Sequence, residues 1–347
     1  MRIQVNARNR AYQFEAAEKE KILYAGLRAK IELPYECGTG TCGTCKAKLI
    51  EGNIEDGWPD APGKKYLKSE LGEFLMCQCS AQGDVAAEVS QFVYITDPGS
   101  CPARPMTGTV EAVRALTPDV KAIDVALDAP CDFDAGQFMV VTAPGIPGRR
   151  GYSMVNFKRQ TRQLQFVIKK KPGGGFSEWL FSGKAKGAQL DLIGPLGKAT
   201  FYPSLAKNIL CIAGGSGIAG IMSILSRACQ ECYFEQYQGH VYFGVRSIKD
   251  AFYLGELVAY RKQFPQKLDI VVAFSDEDVP PAAAEKFPLL RFEHGLVHEV
   301  AKRRMAGRYQ NLRAYVAGPP PAVDAAIRML LLEARLTADN IRYDKFS

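Results

Sequence analysis

The chain has 347 residues, of which 47% are hydrophobic and 23% charged, with a formal net charge of +7. This length predicts two or three domains, and the composition is that of a folded globular protein, which excludes a disordered or fibrous chain. The basic balance comes without a long Lys/Arg run or a recognition motif, which argues against nucleic-acid binding. The charge is uneven: residues 1–100 hold 12 Lys and Arg against 14 Asp and Glu, so the excess of cations lies in the remainder. That asymmetry suggests an acidic module that docks on a basic one or on a partner.

Met1-Arg-Ile-Gln-Val-Asn6 has no apolar stretch of the signal-peptide kind, so a cytoplasmic location is expected. Ten cysteines without an export signal point to a reducing compartment and to metal rather than disulfides. Ile3–Val5 and Tyr12–Phe14 alternate like a hairpin, and Ile22, Leu23, Leu27 and Ile31 repeat at helical spacing. Then comes Cys37-Gly-Thr-Gly-Thr-Cys42-Gly-Thr-Cys45, answered by a distant fourth cysteine, Cys77 or Cys79. The C-x4-C-x2-C spacing is the plant-type ligand pattern of a [2Fe–2S] cluster. Gly38, Gly40 and Gly43 are expected at positive φ, where a loop can close around an inorganic core with its N–H groups turned inward. Strands are expected at 45–50 and 85–89. The order hairpin, helix, cluster loop resembles the β-grasp ferredoxins. Their Leu-x-Cys-Gln tail, here Leu75-Met-Cys77-Gln78, implies that Cys77 is the fourth ligand.

Asp97–Pro105 is dense in Pro and Gly and reads as a linker. The expected division is a ferredoxin domain over 1–98, a linker over 99–105, an FAD-binding barrel over 106–203 and an NAD-binding domain over 204–347. From Met106 to Tyr202, short alternating strands with Gly/Pro turns suggest an antiparallel barrel. From Ala206 the pattern changes to strands at 209–213, 241–244, 268–272 and 314–317, separated by helices. That is a doubly wound parallel sheet. The uncharged run 208–226 is long enough for a membrane span, but Gly214-Gly215-Ser216-Gly217 breaks it into strand, turn and helix. Cys229-Gln-Glu-Cys232 has metal spacing but no completing pair and is read as helix.

Arg150-Gly-Tyr152-Ser153 resembles the Arg-x-Tyr-Ser motif of the ferredoxin–NADP reductase superfamily. The resemblance implies that Arg150 pairs with the FAD pyrophosphate, Tyr152 stacks on the isoalloxazine, and Ser153 hydrogen-bonds near flavin N5, with Met154 alongside. Tyr152 and Ser153 are then the catalytic candidates. Gly173-Gly174-Gly175-Phe176-Ser177 precedes Glu178-Trp-Leu, a helix start whose free N–H groups suit a pyrophosphate. Gly215-Ser-Gly217-Ile-Ala-Gly220 follows a strand and opens a helix, as a dinucleotide fingerprint should. The next strand ends in Arg246 rather than a carboxylate, which resembles NADH-using members of the superfamily; Asp250 is the nearest acid for the adenosine ribose. NADH is expected, with NADPH the less favoured donor. Gly318 and Pro319 lie in Ala317-Gly-Pro-Pro, which resembles the Cys-Gly-Pro-Pro segment flanking the nicotinamide, with Ala317 in place of the cysteine. Phe346 is expected near the flavin.

The resemblance covers the whole chain. It implies the NADH oxidoreductase component of bacterial multicomponent oxygenases, and Glu51–Gly63, Gly43-Thr-Cys-Lys46 and Pro172–Phe181 resemble the toluene and xylene monooxygenase reductases. A monomer is expected to pass electrons from NADH through FAD and the cluster to a Rieske-type ferredoxin or an oxygenase hydroxylase component of an aromatic or alkene oxygenase. The related alternatives are the reductases of Rieske dioxygenases and of deoxysugar biosynthesis. From another class comes a non-catalytic redox sensor, which the intact glycine loop and Arg150-Gly-Tyr-Ser disfavour. The partner is expected to meet the cluster edge around Thr39, Thr41 and Thr44, between Glu36 and Lys46.

Overall fold

The computed structural model describes residues 1–97 and 99–345. They form two compact units, one of residues 1–107, 139–151 and 190–196, the other of residues 108–138, 152–189 and 197 onward.

In the first unit, β1 (Arg2–Asn6) and β2 (Ala11–Glu15) pair antiparallel, with Ile3 opposite Phe14 and Val5 opposite Tyr12. Period-2 alternation puts these four side chains on one face, and all are buried. That face is covered by α1 (Ile22–Arg28), which buries Ile22, Leu23 and Tyr24. Gly26 lets the helix approach, since a Cβ there would stand 2.3 Å from Leu33 Cδ1. The strands β3 (Lys46–Glu51), β4 (Ile54–Asp56), β5 (Glu73–Leu75), β6 (Cys79–Ala81) and β7 (Val85–Glu88) follow. The sheet order is β2-β1-β7-β3-β5, with β1 and β7 parallel, and β4 pairs with β6 apart from it. The cysteine loop runs between α1 and β3.

The barrel strands are β8 (Arg104–Thr117), β9 (Val120–Cys131), β10 (Phe138–Thr142), β11 (Arg150–Ser153), β12 (Thr161–Lys169) and β13 (Gln189–Leu196), with α2 (Gly175–Phe181) before β13. Within the second unit, β8 pairs antiparallel with β9, and β9 with β12. β8 begins at Arg104, so the last two residues of the expected linker are already strand.

The rest of the second unit is a six-stranded parallel sheet, built from β14 (Asn208–Gly214), β15 (Gly239–Val245), β16 (Leu268–Phe274), β17 (Arg291–His294), β18 (Leu312–Gly318) and β19 (Ile341–Lys345). The helices between them are α3 (Ile218–Gln230), α4 (Leu254–Gln263), α5 (Pro281–Lys286), α6 (Val297–Met305) and α7 (Pro320–Leu332). The order β17-β16-β15-β14-β18-β19 reverses direction beside β14, so the fingerprint turn lies at the switch point where such sheets bind ligands. α6 and α7 close one face over Leu210, Ile212, Val271 and Val316. The C-terminal segment is an edge strand, with Tyr343 level with Val316. Among the described residues, no helix is long and apolar enough to cross a membrane.

A buried ionic hub ties this unit together. Asp134 accepts hydrogen bonds from Arg227 of α3 at 3.1 Å, Arg159 at 3.2 Å and the Tyr202 hydroxyl at 2.9 Å. The Arg227 and Asp134 side chains are each 8% exposed. Removing one partner of such a pair strands the other charge in a poor solvent. Asp134→Ala is predicted to destabilise the protein by about 3 kcal/mol, read as a lowered midpoint in chemical denaturation.

Candidate functional site

The cysteine loop folds as its glycines predict, with φ of +66° at Gly38, +87° at Gly40 and +78° at Gly43. Two of these positions also have no room for a side chain. A Cβ at Gly40 would stand 2.8 Å from Gln78 Nε2, and one at Gly43 2.7 Å from Tyr66 Cδ2. The turn Pro62–Tyr66 closes over the loop through Gly63, whose N–H donates to Gly40 O at 2.8 Å. Thr39 N donates to Cys37 Sγ at 3.4 Å, and Gln78 Nε2 to Cys77 Sγ at 3.3 Å. Donors aimed at sulfur suit thiolates that must carry charge.

Cys37 and Cys42 share a hydrogen bond that holds the Cys37 thiol well below its usual range and pushes Cys42 above. Cys45 is likewise pushed up by its hydrogen bond with Cys77 and by burial. Among the described residues, no three His, Cys, Asp or Glu side chains converge on one metal position. The four thiols instead gather as two pairs, which is what a two-iron centre with two thiolates per iron needs. Cys79 stands apart in β6, opposite Asp56 of β4. Burial and then Asp56 push its thiol up to about 12, and neither thiol pair includes it. One expectation is corrected: Thr39 is buried at 5% exposure, with its N–H turned to sulfur, so it cannot belong to a docking rim. Thr41 and Thr44 are half-buried, and Tyr66 over Gly43 is the exposed aromatic of this edge.

β11 carries Arg150, Tyr152 and Ser153. The Arg150 guanidinium donates to Arg149 O at 2.9 Å. In the second unit, the Tyr152 ring packs 5.2 Å from Phe176 of α2, and Phe176 packs 5.4 Å from Trp179. The approach depends on Gly174, where a Cβ would stand 2.9 Å from both Lys171 O and Ser177 Oγ. Ser177 Oγ hydrogen-bonds within this turn, to Gly174 O and Lys171. Its hydroxyl therefore shapes the loop that presents Gly174 and Gly175. Met154 is fully buried, with its N–H donating to Gln137 O. Ser153 is different. It is 5% exposed, yet its hydroxyl is buried without a hydrogen-bond partner. It faces Gly220 in the first turn of α3, where a Cβ would lie 3.6 Å from Ser153 Oγ.

The dinucleotide fingerprint is a tight turn, Gly215–Gly217, between β14 and α3. A Cβ at Gly217 would stand 2.5 Å from the Ala317 carbonyl carbon and oxygen, so only glycine lets this turn rest on the end of β18. Gly318 follows at φ +145°, 3.0 Å from Gly214 O by the same measure. A cavity of about 280 Å³ opens here, lined by Gly215, Arg246, Asp250 and Pro319 together with Asp119 and Lys169. Asp119 and Lys169 carry no sequence motif, and only the fold brings them in. Arg246 is held by Asp250 at 2.6 Å and by Asp119 at 3.7 Å. Burial would raise the Asp250 carboxyl, but hydrogen bonds from Arg246 and Ser247 hold it below the usual carboxylate range. Phe346 lies outside the described residues.

Three family models match consecutive parts of the chain: a 2Fe-2S iron-sulfur cluster binding domain over residues 5–82, an oxidoreductase FAD-binding domain over 107–201, and an oxidoreductase NAD-binding domain over 211–328. The chain is 35% identical to a ferredoxin–NAD(P)(+) reductase of Metapseudomonas resinovorans, over 94% of both chains. It is 30% identical to the ferredoxin–NAD(+) reductase component of an alkene monooxygenase system of Xanthobacter autotrophicus, over 97% of this chain and 99% of that one. Among solved structures, the ferredoxin reductase in carbazole 1,9a-dioxygenase superposes with a TM-score of 0.81 at 32% identity, covering 100% of this chain and 99% of the other.

The contact at Gly217 gives a direct prediction. Gly217→Ala forces a methyl group into the Ala317 carbonyl and displaces the fingerprint turn. The KM for reduced nicotinamide nucleotide in flavin reduction is expected to rise at least about tenfold, the equivalent of about 1.4 kcal/mol, while bound flavin and iron per chain stay unchanged.

Proposed function

Because this chain belongs to the family of ferredoxin–NAD(P)+ reductases that act as reductase components of oxygenase systems, we propose that it takes hydride from NADH and delivers single electrons to a Rieske-type ferredoxin or an oxygenase component. It is an iron–sulfur flavoprotein oxidoreductase with a [2Fe–2S] domain, an FAD-binding domain and an NAD-binding domain. The observation that carries the reading is the buried Ser153 hydroxyl, unpartnered and facing Gly220. A buried hydroxyl without a partner costs free energy unless a ligand completes it, and this one stands where the flavin-motif strand meets the first turn of the dinucleotide helix.

Bound FAD supplies the exchange between a two-electron hydride and single electrons, which is the chemistry needed between a nicotinamide and an iron–sulfur cluster. The residues do the rest. Ser153 offers its O–H to the reacting edge of the ring, and Tyr152, backed by Phe176, presents a flat apolar face to it. The Gly174 N–H closes the turn onto Lys171 O at 2.9 Å, which leaves Gly175 to present its backbone N–H at the start of α2, where a pyrophosphate is favoured. Arg150 provides a bidentate cation for phosphate. Gly215 and Gly217 give the nucleotide close access to the start of α3, Pro319 borders the same cavity, and Gly318 packs behind it against Gly214. Cys37, Cys42, Cys45 and Cys77 are the thiolates that hold the cluster.

The preference for NADH rests on charge. The two cations lining the cavity, Arg246 and Lys169, are already matched by two carboxylates: Arg246 pairs with Asp250 at 2.6 Å, and Asp119 lies 3.7 Å from Arg246 and 3.4 Å from Lys169. Asp250 adds a negative charge that suits a ribose diol and repels a phosphate. NADH is therefore expected to reduce the flavin with a kcat/KM at least about tenfold above that of NADPH. Asp250→Ala should shrink the ratio by raising the NADPH value; an unchanged ratio would remove Asp250 from the account.

Loss of one thiolate separates the two halves of the reaction. Cys42→Ser is expected to abolish reduction of one-electron protein acceptors while NADH still bleaches the flavin. Loss of flavin bleaching in a folded, FAD-loaded variant would contradict the order NADH, FAD, cluster.

A further inference from the structure

Arg149 and Arg150 are neighbours in sequence but their side chains have different surroundings. Arg150 folds back on Arg149 O and over Gly148, where a Cβ would stand 2.8 Å from Arg150 Nη1. Arg149 instead lies on Tyr24 of α1, with Cζ 5.1 Å from the ring centroid. Tyr24 is 3% exposed, and its hydroxyl donates to Gly38 O at 2.6 Å, next to Cys37. Burial weakens the Tyr24 acid, Arg149 partly reverses this, and the Cys77 and Cys45 thiols weaken it further. Arg149, Tyr24 and two of the four thiols thus share one electrostatic neighbourhood. Gly38 packs against the same region, 3.5 Å from Val140 and 3.6 Å from Leu196 when a Cβ is placed on it. Water is kept from this side of the loop by apolar residues.

The Arg149 guanidinium is only partly satisfied. Its Nη1 is buried with no hydrogen-bond partner, and among the described residues no carboxylate pairs with it. The other cation nearby is Lys21, whose ammonium is discouraged first by burial and then by Arg149, while Cys79, Glu55 and Asp56 favour it. The anions beside Lys21 offset that burial and repulsion only in part. A guanidinium cannot escape burial by losing its proton. An uncompensated cation of this kind is expensive unless an anion forms beside it. The cluster with four thiolates is such an anion, and it becomes more negative by one charge on accepting one electron from the reduced flavin, as one ferric iron becomes ferrous.

We propose that Arg149, seated on Tyr24 behind the cysteine loop, is a positioning residue that raises the reduction potential of the [2Fe–2S] cluster and so draws the electron out of the flavin. Net charge, hydrogen bonding and exposure are the levers that set such potentials, and Arg149 acts through the first. The inference rests on the cluster reading above, and the two fail differently. If the unmodified protein lacked iron and the reduced-cluster EPR signal, the cluster reading would fall. If it has both, the variants test Arg149.

The experiment is an EPR-monitored redox titration of the holoprotein, with flavin followed by absorbance, for wild type, Arg149→Gln, Arg149→Lys and Tyr24→Phe. The glutamine variant should lower the equilibrium constant for cluster reduction at least tenfold, a drop of about 59 mV for one electron, with a smaller change at the flavin. The lysine variant should stay within about threefold of wild type, since it keeps the charge. Tyr24→Phe should fall between them, having lost the tether to Gly38 but not the cation. A glutamine variant with full iron and flavin content and an unchanged cluster potential would overturn the proposal. Should glutamine cost the cluster, the lysine variant decides: a tenfold or larger fall there would overturn the role of charge, and a wild-type value would uphold it.

Discussion

The cysteine loop closes because backbone meets backbone around it. Gly40, Gly43 and Gly63 come within distances that no side chain permits, and Gln78 fills the space that a Cβ at Gly40 would need. The loop is therefore held by neighbours rather than by its own stiffness: Pro62–Tyr66 on one side, Gln78 on another, and the Tyr24 hydroxyl on Gly38. Such a shell surrounds the thiol pairs Cys37–Cys42 and Cys45–Cys77. A preorganised site limits how much the ligands must move when the cluster gains charge. The structural cost is borne by the sequence, which spends glycine wherever another residue would fit a regular element better.

The same device recurs at the nucleotide turn. Gly217 rests on the Ala317 carbonyl, and Gly318 sits against Gly214. These contacts join the ends of β14 and β18 at the switch point of the parallel sheet, beside the cavity that Gly214, Gly215 and Ser216 line. Ala317 occupies the position where related reductases carry a cysteine, and it is 7% exposed. Charge in the cavity is nearly balanced, because Arg246 is matched by Asp250 and Asp119.

What could be read from the sequence was what is local. The C-x4-C-x2-C spacing, the positive-φ glycines and the fingerprint turn each lie within about ten residues, so chemistry and geometry are written in one segment. Non-local contributions left no such trace. Asp119 and Lys169 reach the nucleotide cavity from barrel strands, and Tyr24 and Arg149 reach the cluster loop from a helix and a barrel turn. Gly63 and Tyr66, which seal the cysteine loop, lie about twenty residues beyond it, with no motif that ties them to it. The strands β17 and β19 escaped because they are short edge strands rich in charge, Arg291-Phe-Glu-His and Ile341-Arg-Tyr-Asp-Lys, with no alternating apolar face. The docking rim was misread at Thr39 because a threonine between glycines looks exposed, whereas its N–H is drawn inward by sulfur.

The central claim is an order of events: hydride enters at the nucleotide cavity, and single electrons leave through the cysteine loop. Anaerobic stopped-flow mixing with NADH tests it most directly, following flavin absorbance and, in freeze-quenched samples, the EPR signal of the reduced cluster. The account predicts flavin bleaching first and cluster reduction afterwards, at a rate that vanishes when FAD is removed and returns when it is restored. Cluster reduction by NADH at an undiminished rate in FAD-free protein would contradict it.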